Sequence, residues 1–291
     1  MKFWKEAIIA CSLVGATSAI AQSDSPTFNR IKERGYISIG HRDASVPFSY
    51  LDGAGEPVGY AVDICLAIVD DLKATLEAPD LDVRFVPVTS QTRIPLIANG
   101  TIEMECGSTT NNLRRQAQVD YLSTTFITGA KIATKTGSGI GSIADLDGKI
   151  IGLSQGTSSA KNIQAALDKL GVSYDVEFVK DHPRGWLSLS NGRVDAYGTD
   201  EVILFGLISK DQDPDGFAVV GDFISYDPYA IMVGQNDSQF RNAANAALVR
   251  LMRSGEIHEL YAKWFEPGPT SINIPMSPQL KAAFELQALP D

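Results

Sequence analysis

The sequence predicts an α/β fold built as two similar lobes, and three observations carry that prediction. Short stretches in which apolar residues alternate with period two take turns with longer stretches of period 3.6, so strands and helices follow one another. Such alternation implies a mostly parallel sheet covered by helices. The series begins again near Ile140. Finally, "NGTIEMECGS", ending at Ser108, and "NGRVDAYGTD", ending at Asp200, share Asn-Gly, a β-branched residue and an acid at equivalent places of the two series.

Taken in order, "YISIG" from Tyr36 alternates like a strand. In "VGYAVDICLAIVDDL", Tyr60, Ile64, Ile68 and Leu72 lie at i, i+4 spacing and predict a helix. "LDVRFVPV" returns to strand. A short helix follows from Arg93, with Pro95 tolerated in its first turn and Asn99-Gly100 as its stop. "IEMEC" is again strand. In the second series "GKIIGLS" is a strand, "QGTSS" a loop with capping residues and "AKNIQAALDKL" a helix. "YDVEFV" is a strand, "WLSLSNG" a helix end, and "VDAYGTD" a strand and its exit. The glycines of residues 128–139 have no helix-opening context and read as linker. After Gly221 come one strand, "YAIMVG", helices over 239–254 and 256–265, and a proline-containing tail.

The 291 residues carry a formal charge of −10, which argues against nucleic acid and anionic membrane surfaces as partners. Residues 1–21 read as a secretory signal, with Lys2 and Lys5 before an apolar stretch and "ATSAIA" before Gln22. "IIAC" at Cys11 resembles a lipoprotein box placed very early; cleavage after Ala21 is the expectation. Of the later cysteines, Cys65 and Cys106 are compatible with one disulfide or with two buried thiols. His41, His182 and His258 are far apart, and no metal cluster, phosphate loop or Ser-His-Asp spacing is visible, so no metal or cofactor is expected.

The chemistry gathers in "ECGSTTNNLRRQAQVDY", from Glu105. Short hydroxyl and amide donors stand beside Arg114 and Arg115 in an acidic chain. That pattern fits a pocket for a small anion, or else a loop before a solvated helix. Ligands of open α/β sheets sit beyond the carboxyl ends of strands, where Ser108 and Asp200 fall. Asp200 suits an ammonium group, or caps the following helix. Arg42 follows the first strand and Arg93 opens a helix. Two buried guanidiniums near one ligand demand a negative charge between them; the alternative is two surface arginines paired with local acids such as Asp43. Ser154 and Thr157 lie in a strand-to-helix turn where Gly156 admits close backbone approach and the helix start attracts a carboxylate, with routine capping as the alternative reading.

"SIGHRDASVPFSY", "GYAVDICLAIVDDL", "TSQTRIPLIANGTIEMECGSTTNN" and "RQAQVDYLS" resemble the amino-acid-binding proteins of solute-binding family 3, and within it the glutamate/aspartate branch. The resemblance implies a type II periplasmic binding protein fold: two Rossmann-like lobes joined by two hinge strands. It divides the chain into a first lobe over 22–127, a second over 128–224, and a return strand and helices of the first over 225–291. The crossings are expected near 126–131 and 225–231. It assigns the ligand α-carboxylate to Arg115, five residues before Asp120, with Ser108, Thr110, Ser154 and Thr157. Asp200 takes the ammonium; Arg42, Ser90 and Arg93 take the side-chain carboxylate, with His182 beside it. Pro183 departs from the family pattern next to His182. The implied protein is a periplasmic monomer that captures glutamate or aspartate for an ABC permease and is not an enzyme. Two rivals remain at this stage. One is a dehydratase on the same scaffold, using Glu105 or His182 as acid or base. The other is a ligand-presenting protein for a chemoreceptor.

Overall fold

The computed structural model describes residues 25–266 and 272–290; the expected leader, with Cys11 and Ala21, lies outside them. The first helix, α1 (Pro26–Arg34), starts where the Ser25 hydroxyl accepts from the Phe28 amide and stops at Gly35, whose φ of 70° is left-handed. Then come β1 (Tyr36–His41), a small antiparallel sheet of β2 (Ala44–Ser45), β3 (Ser49–Leu51) and β4 (Pro57–Val58), and α2 (Tyr60–Thr75). The first series is completed by β5 (Asp82–Pro87), α3 (Arg93–Ala98), β6 (Met104–Glu105), α4 (Leu113–Gln116) and β7 (Asp120–Thr128). The second comprises β8 (Ala130–Lys135), β9 (Lys149–Ser154), α5 (Ser158–Leu170), β10 (Tyr174–Val179), α6 (His182–Ser190), β11 (Ala196–Asp200), α7 (Glu201–Ile208) and β12 (Phe217–Val220). The chain ends with β13 (Asp227–Val233), α8 (Ser238–Ser254), α9 (Glu256–Phe265) and α10 (Pro278–Gln287).

Two five-stranded sheets result, ordered β5-β1-β6-β13-β7 and β10-β9-β11-β8-β12. In each, the first three strands are parallel and the fourth runs against its neighbours. The sheets are therefore mixed, where the sequence pattern implied mostly parallel ones. The cause is the crossover. A strand arriving from the other sheet enters at the end where the βα strands finish, so it runs away from that end. The register agrees: the first residue of β8, Ala130, lies opposite the last of β11, Asp200. The chain leaves the first sheet at Gly129 and returns between Val220 and Asp227. Residues 130–135 are thus a strand of the second sheet and not linker. Their alternation is hidden because Ile132, Ala133 and Thr134 are all buried, leaving no polar face to mark the period.

The larger apolar core gathers α2, α8 and α9 around Phe48, Tyr60, Phe126, Tyr229, Tyr261 and Phe265; a smaller one joins Ile132, Ile151, Leu153, Ile163 and Leu167. The cysteine alternatives resolve as a disulfide: Cys65 of α2 is bonded to Cys106 just beyond β6. Since neighbouring strand residues face opposite sides, this turns Cys106 toward the helices and Glu105 toward the other face. The tail contains α10, whose Gln287 amide accepts from the Thr124 amide at 2.7 Å and donates to the Thr124 carbonyl at 3.1 Å. It closes part of the exposed edge of β7.

Candidate functional site

The ends of β1, β6, β9 and β11 and the starts of α3 and α4 converge on one cleft between the two sheets. All ten residues singled out from the sequence are buried, none more than 7% exposed. The arginines decide most: Arg42, Arg93 and Arg115 are 4%, 2% and 1% exposed. A surface-arginine reading does not survive that burial. Arg114 is exposed, as its place on the outer side of α4 requires.

Arg115 owes its position to a short helix. The Asn112 side chain accepts from its amide at 3.0 Å and starts α4. Its guanidinium donates to the Thr110 carbonyl at 2.8 Å and, from the other sheet, to the Gly156 carbonyl at 3.2 Å, while its Nε has no partner among the described residues. Burial, with Arg93 adding repulsion, lowers its pKa to about 10. A guanidinium held only by carbonyls remains short of an anion.

Arg93 lies at the start of α3 and donates to the Ser108 carbonyl at 3.2 Å and to the Thr109 hydroxyl. The Thr109 hydroxyl in turn donates to Glu105 Oε2 at 2.5 Å, and Arg93 Nη1 stands 3.7 Å from Glu105 Oε1. Arg42 is held by its backbone, whose amide donates to the Ser49 hydroxyl at 2.9 Å. Its Nη1 is unpartnered among the described residues, and burial beside Arg93 lowers its pKa to about 10. The ring of His182 packs into the same end, its Nδ1 2.9 Å from the Tyr197 hydroxyl, which also lies 2.8 Å from the Ser154 hydroxyl. Burial, then Arg42 and Arg93, push the pKa of His182 well below its ordinary value, so it stays neutral at pH 7. Pro183 falls in the first turn of α6, where a proline is accommodated.

The Thr157 hydroxyl donates to the Ser154 carbonyl at 2.8 Å and accepts from the Ala160 amide at 3.1 Å, so its one proton is used in capping α5. What this turn offers a ligand is its helix-start field. Asp200 heads α7 without a side-chain capping bond. Its Oδ2 accepts from the Tyr229 hydroxyl, and its Oδ1 is unpartnered among the described residues. Burial, then the nearby Asp227, raise its pKa to about 7 against the pull of Tyr229, Arg115 and Arg93.

The two walls touch. Gln91 donates to Gln155 at 2.9 Å and Asn112 to the Ser158 hydroxyl at 3.1 Å. A Cβ on Gly156, where φ is 76°, would stand 2.9 Å from the Ser90 carbonyl oxygen. On the far side, α7 lies so close to the loop after β2 that a Cβ on Gly206 would overlap the Val46 carbonyl oxygen. Sequence reasoning missed Thr109, Tyr197 and Tyr229, and it left the role of Glu105 open. Thr109 sits in the quoted stretch and was readable as one more donor. The tyrosines lie on β11 and β13, and only pairing between distant strands brings them here.

A closed cleft between two matching α/β sheets, lined by buried guanidiniums and the carboxylates of Asp200 and Glu105, defines a two-lobed protein for binding small charged molecules. The chain belongs to the bacterial extracellular solute-binding proteins, family 3, whose model matches residues 37–267. It is 39% identical over 280 residues to the L-glutamate/L-aspartate-binding protein of Pseudomonas aeruginosa, covering 94% of this chain and 92% of that one. It is 35% identical over 289 residues to the glutamate/aspartate import solute-binding protein of Escherichia coli, covering 96% and 95%. Among solved structures, an ancestral arginine-binding protein bound to glutamine superposes with a TM-score of 0.71 at 28% identity, over 80% of this chain and 98% of that one.

Proposed function

We propose that this protein is a periplasmic solute-binding protein that captures glutamate and aspartate and delivers them to an ABC importer. One observation carries the reading: the polar atoms left unpartnered in the cleft have the charge pattern of an acidic amino acid. Arg115 Nε and Asp200 Oδ1 offer a cation and an anion at one end, and Arg42 Nη1 and Arg93 Nε offer two cations at the other against the single anion of Glu105 Oε1, which leaves that end one positive charge in excess. The α-carboxylate faces Arg115 with Ser108, Thr110 and the start of α5 below Ser154 and Thr157. The ammonium faces Asp200. The side-chain carboxylate faces Arg42, Arg93 and Ser90, with neutral His182 beside it. The names of the two relatives support the ligand class. Among the described residues no helix is long and apolar enough to cross a membrane. The test is a calorimetric titration of protein unfolded, stripped of ligand and refolded, against glutamate, aspartate, glutamine and asparagine. Tight binding of the two acids supports the proposal, and equal or tighter binding of the amides overturns it.

The Asp200 carboxyl makes the binding pH-dependent. With its pKa raised to about 7 by burial in the closed, ligand-free cleft, it is protonated in much of that form at pH 6, whereas an ammonium partner requires the charged form. Binding below about pH 7 therefore releases a proton. Affinity is expected to fall as pH drops from 7 to 5.5, approaching tenfold per unit, and to level off above. Ligand carboxylates stay ionised over most of this range, and a carboxylate beside His182 would make it take up a proton rather than release one, so affinity that falls with pH belongs to Asp200. Titrations in buffers of different ionisation enthalpy count the proton. Affinity independent of pH across this window argues against a carboxyl that must lose a proton to bind.

Capture requires the walls to meet, and Gly206 is where they meet most tightly outside the ligand space. Gly206→Ala favours helix α7 by roughly 0.5–1 kcal/mol. It also forces a Cβ onto the Val46 carbonyl, an overpacking that costs about 1–3 kcal/mol. Glutamate affinity should fall by about tenfold or more with no ligand contact changed, while small-angle scattering of the saturated variant reports a larger radius of gyration than wild type. Unchanged affinity argues against closure through this contact.

A further inference from the structure

Among the described residues Glu105 is a buried acid of the cleft that contacts no part of the proposed ligand. It is fully buried, and its Oε2 is held by the Thr109 hydroxyl at 2.5 Å. Its Oε1 lies 3.7 Å from Arg93 Nη1 and has no hydrogen-bond partner among the described residues. Thr109 joins the two by accepting from Arg93 and donating to Glu105. Gly107 passes so close that a Cβ there would overlap Glu105 Oε1 and stand 3.0 Å from Arg42 Cγ. One carboxylate therefore stands in ion-pair range of the Arg93 guanidinium and near enough to that of Arg42 to favour its charged form, at the end of the cleft that faces the ligand side chain.

The charges at that end explain the packing. Two guanidiniums facing one ligand carboxylate leave one positive charge in excess, and an uncompensated buried charge is strongly unfavourable. With no ligand bound the excess is two. Glu105 supplies one negative charge, which neutralises the excess in the bound state and halves it in the free one. The same charge repels the incoming carboxylate and competes with it for Arg93.

We propose that Glu105 is an internal counter-ion that stabilises the ligand-free protein and tempers its affinity for the acidic side chain, so that a bound ligand can be released. Glu105 touches no ligand atom in this account. It sets the field in which Arg42 and Arg93 act, and Thr109 holds it slightly back from Arg93. The inference rests on the proposal that the cleft binds acidic amino acids.

The test uses Glu105→Gln, which keeps an acceptor for Thr109 and removes the charge, together with Thr109→Val, which keeps both charges and removes the hydroxyl between them. Wild type is first titrated with L-glutamate and L-glutamine; if it binds neither, the ligand reading has failed and the arm below that needs no ligand still judges Glu105. Glu105→Gln is expected to bind glutamate about tenfold more tightly, because a repulsion is lost, and to change glutamine much less, so the glutamate-to-glutamine ratio rises about tenfold. Thr109→Val leaves Arg93 as the nearest donor to Glu105, so the ratio falls. A merely structural glutamate would move both ligands together. In urea, ligand-free Glu105→Gln should unfold at a lower midpoint than wild type. A ratio that is unchanged or lower in Glu105→Gln, a ratio that is unchanged or higher in Thr109→Val, or a urea midpoint that does not fall overturns the proposal. If Glu105→Gln fails to fold, Thr109→Val decides.

Discussion

Arg115→Ala is expected to weaken glutamate binding by about two to four decades, while Arg114→Ala changes it by less than about one. The two arginines are adjacent, but about 100° of rotation around the helix axis separates their side chains. Arg115 is 1% exposed, and among the described residues its guanidinium is satisfied only by the carbonyls of Thr110 and Gly156. Removing it leaves the ligand α-carboxylate buried without its cation, at roughly 3–5 kcal/mol, or two to four decades at about 1.4 kcal/mol each. Arg114 is a solvated charge whose loss costs under about 1 kcal/mol. Calorimetry on both variants checks this. Ligand-free Arg115→Ala should fold normally, because in the empty cleft Arg115 is already an under-compensated charge with a depressed pKa. Similar losses in the two variants would put the carboxylate somewhere else.

The second large effect is charge selection. Glutamine has nearly the shape of glutamate, so size does not reject it. Its neutral amide leaves the Arg42 and Arg93 guanidiniums, 4% and 2% exposed, with Glu105 as their single anion and turns its own donors toward donors. A site built for a specific polar group rejects an analogue lacking it by ~10⁴ or more. Wild type should therefore favour glutamate over glutamine by that order. Arg93→Met keeps an unbranched apolar stem and removes the charge, so glutamate binding collapses while glutamine binding changes little and the two affinities converge. Because Arg93 also faces Glu105, this variant should be less stable to urea than wild type. Wild-type affinities within about tenfold of each other, a gap of only ~1.4 kcal/mol, would falsify the two-arginine assignment and move the protein to another ligand class of its family.

Much of this site was legible because the signals are local. Donor-rich "GSTTNN" and its arginines are contiguous, and Arg42, Asp200 and Ser154 stand at strand ends that the periodicity locates. Thr157 was legible in both of its readings. The structure gives its hydroxyl to the cap of α5, which leaves the turn to act through its amides. The linker reading of residues 128–139 failed at β8 for the opposite reason. A strand buried on both faces has no period to read, and the glycines around it are the only punctuation.

By itself, then, the sequence determined the α/β alternation, the duplication into two lobes and the identity of most charged groups at the cleft. Those follow from periodicity, capping and turn chemistry, which act over a few residues. Tertiary structure alone decided which arginine is buried, which face of the β6 strand Glu105 occupies, and that Cys65 meets Cys106. It also brought Tyr229 to Asp200 across 29 positions and Tyr197 between His182 and Ser154. The physical reason is that burial and pairing are properties of surfaces in contact. Strand order, with β13 and β8 each entering a sheet from the other lobe, sets those contacts, and no local pattern encodes it.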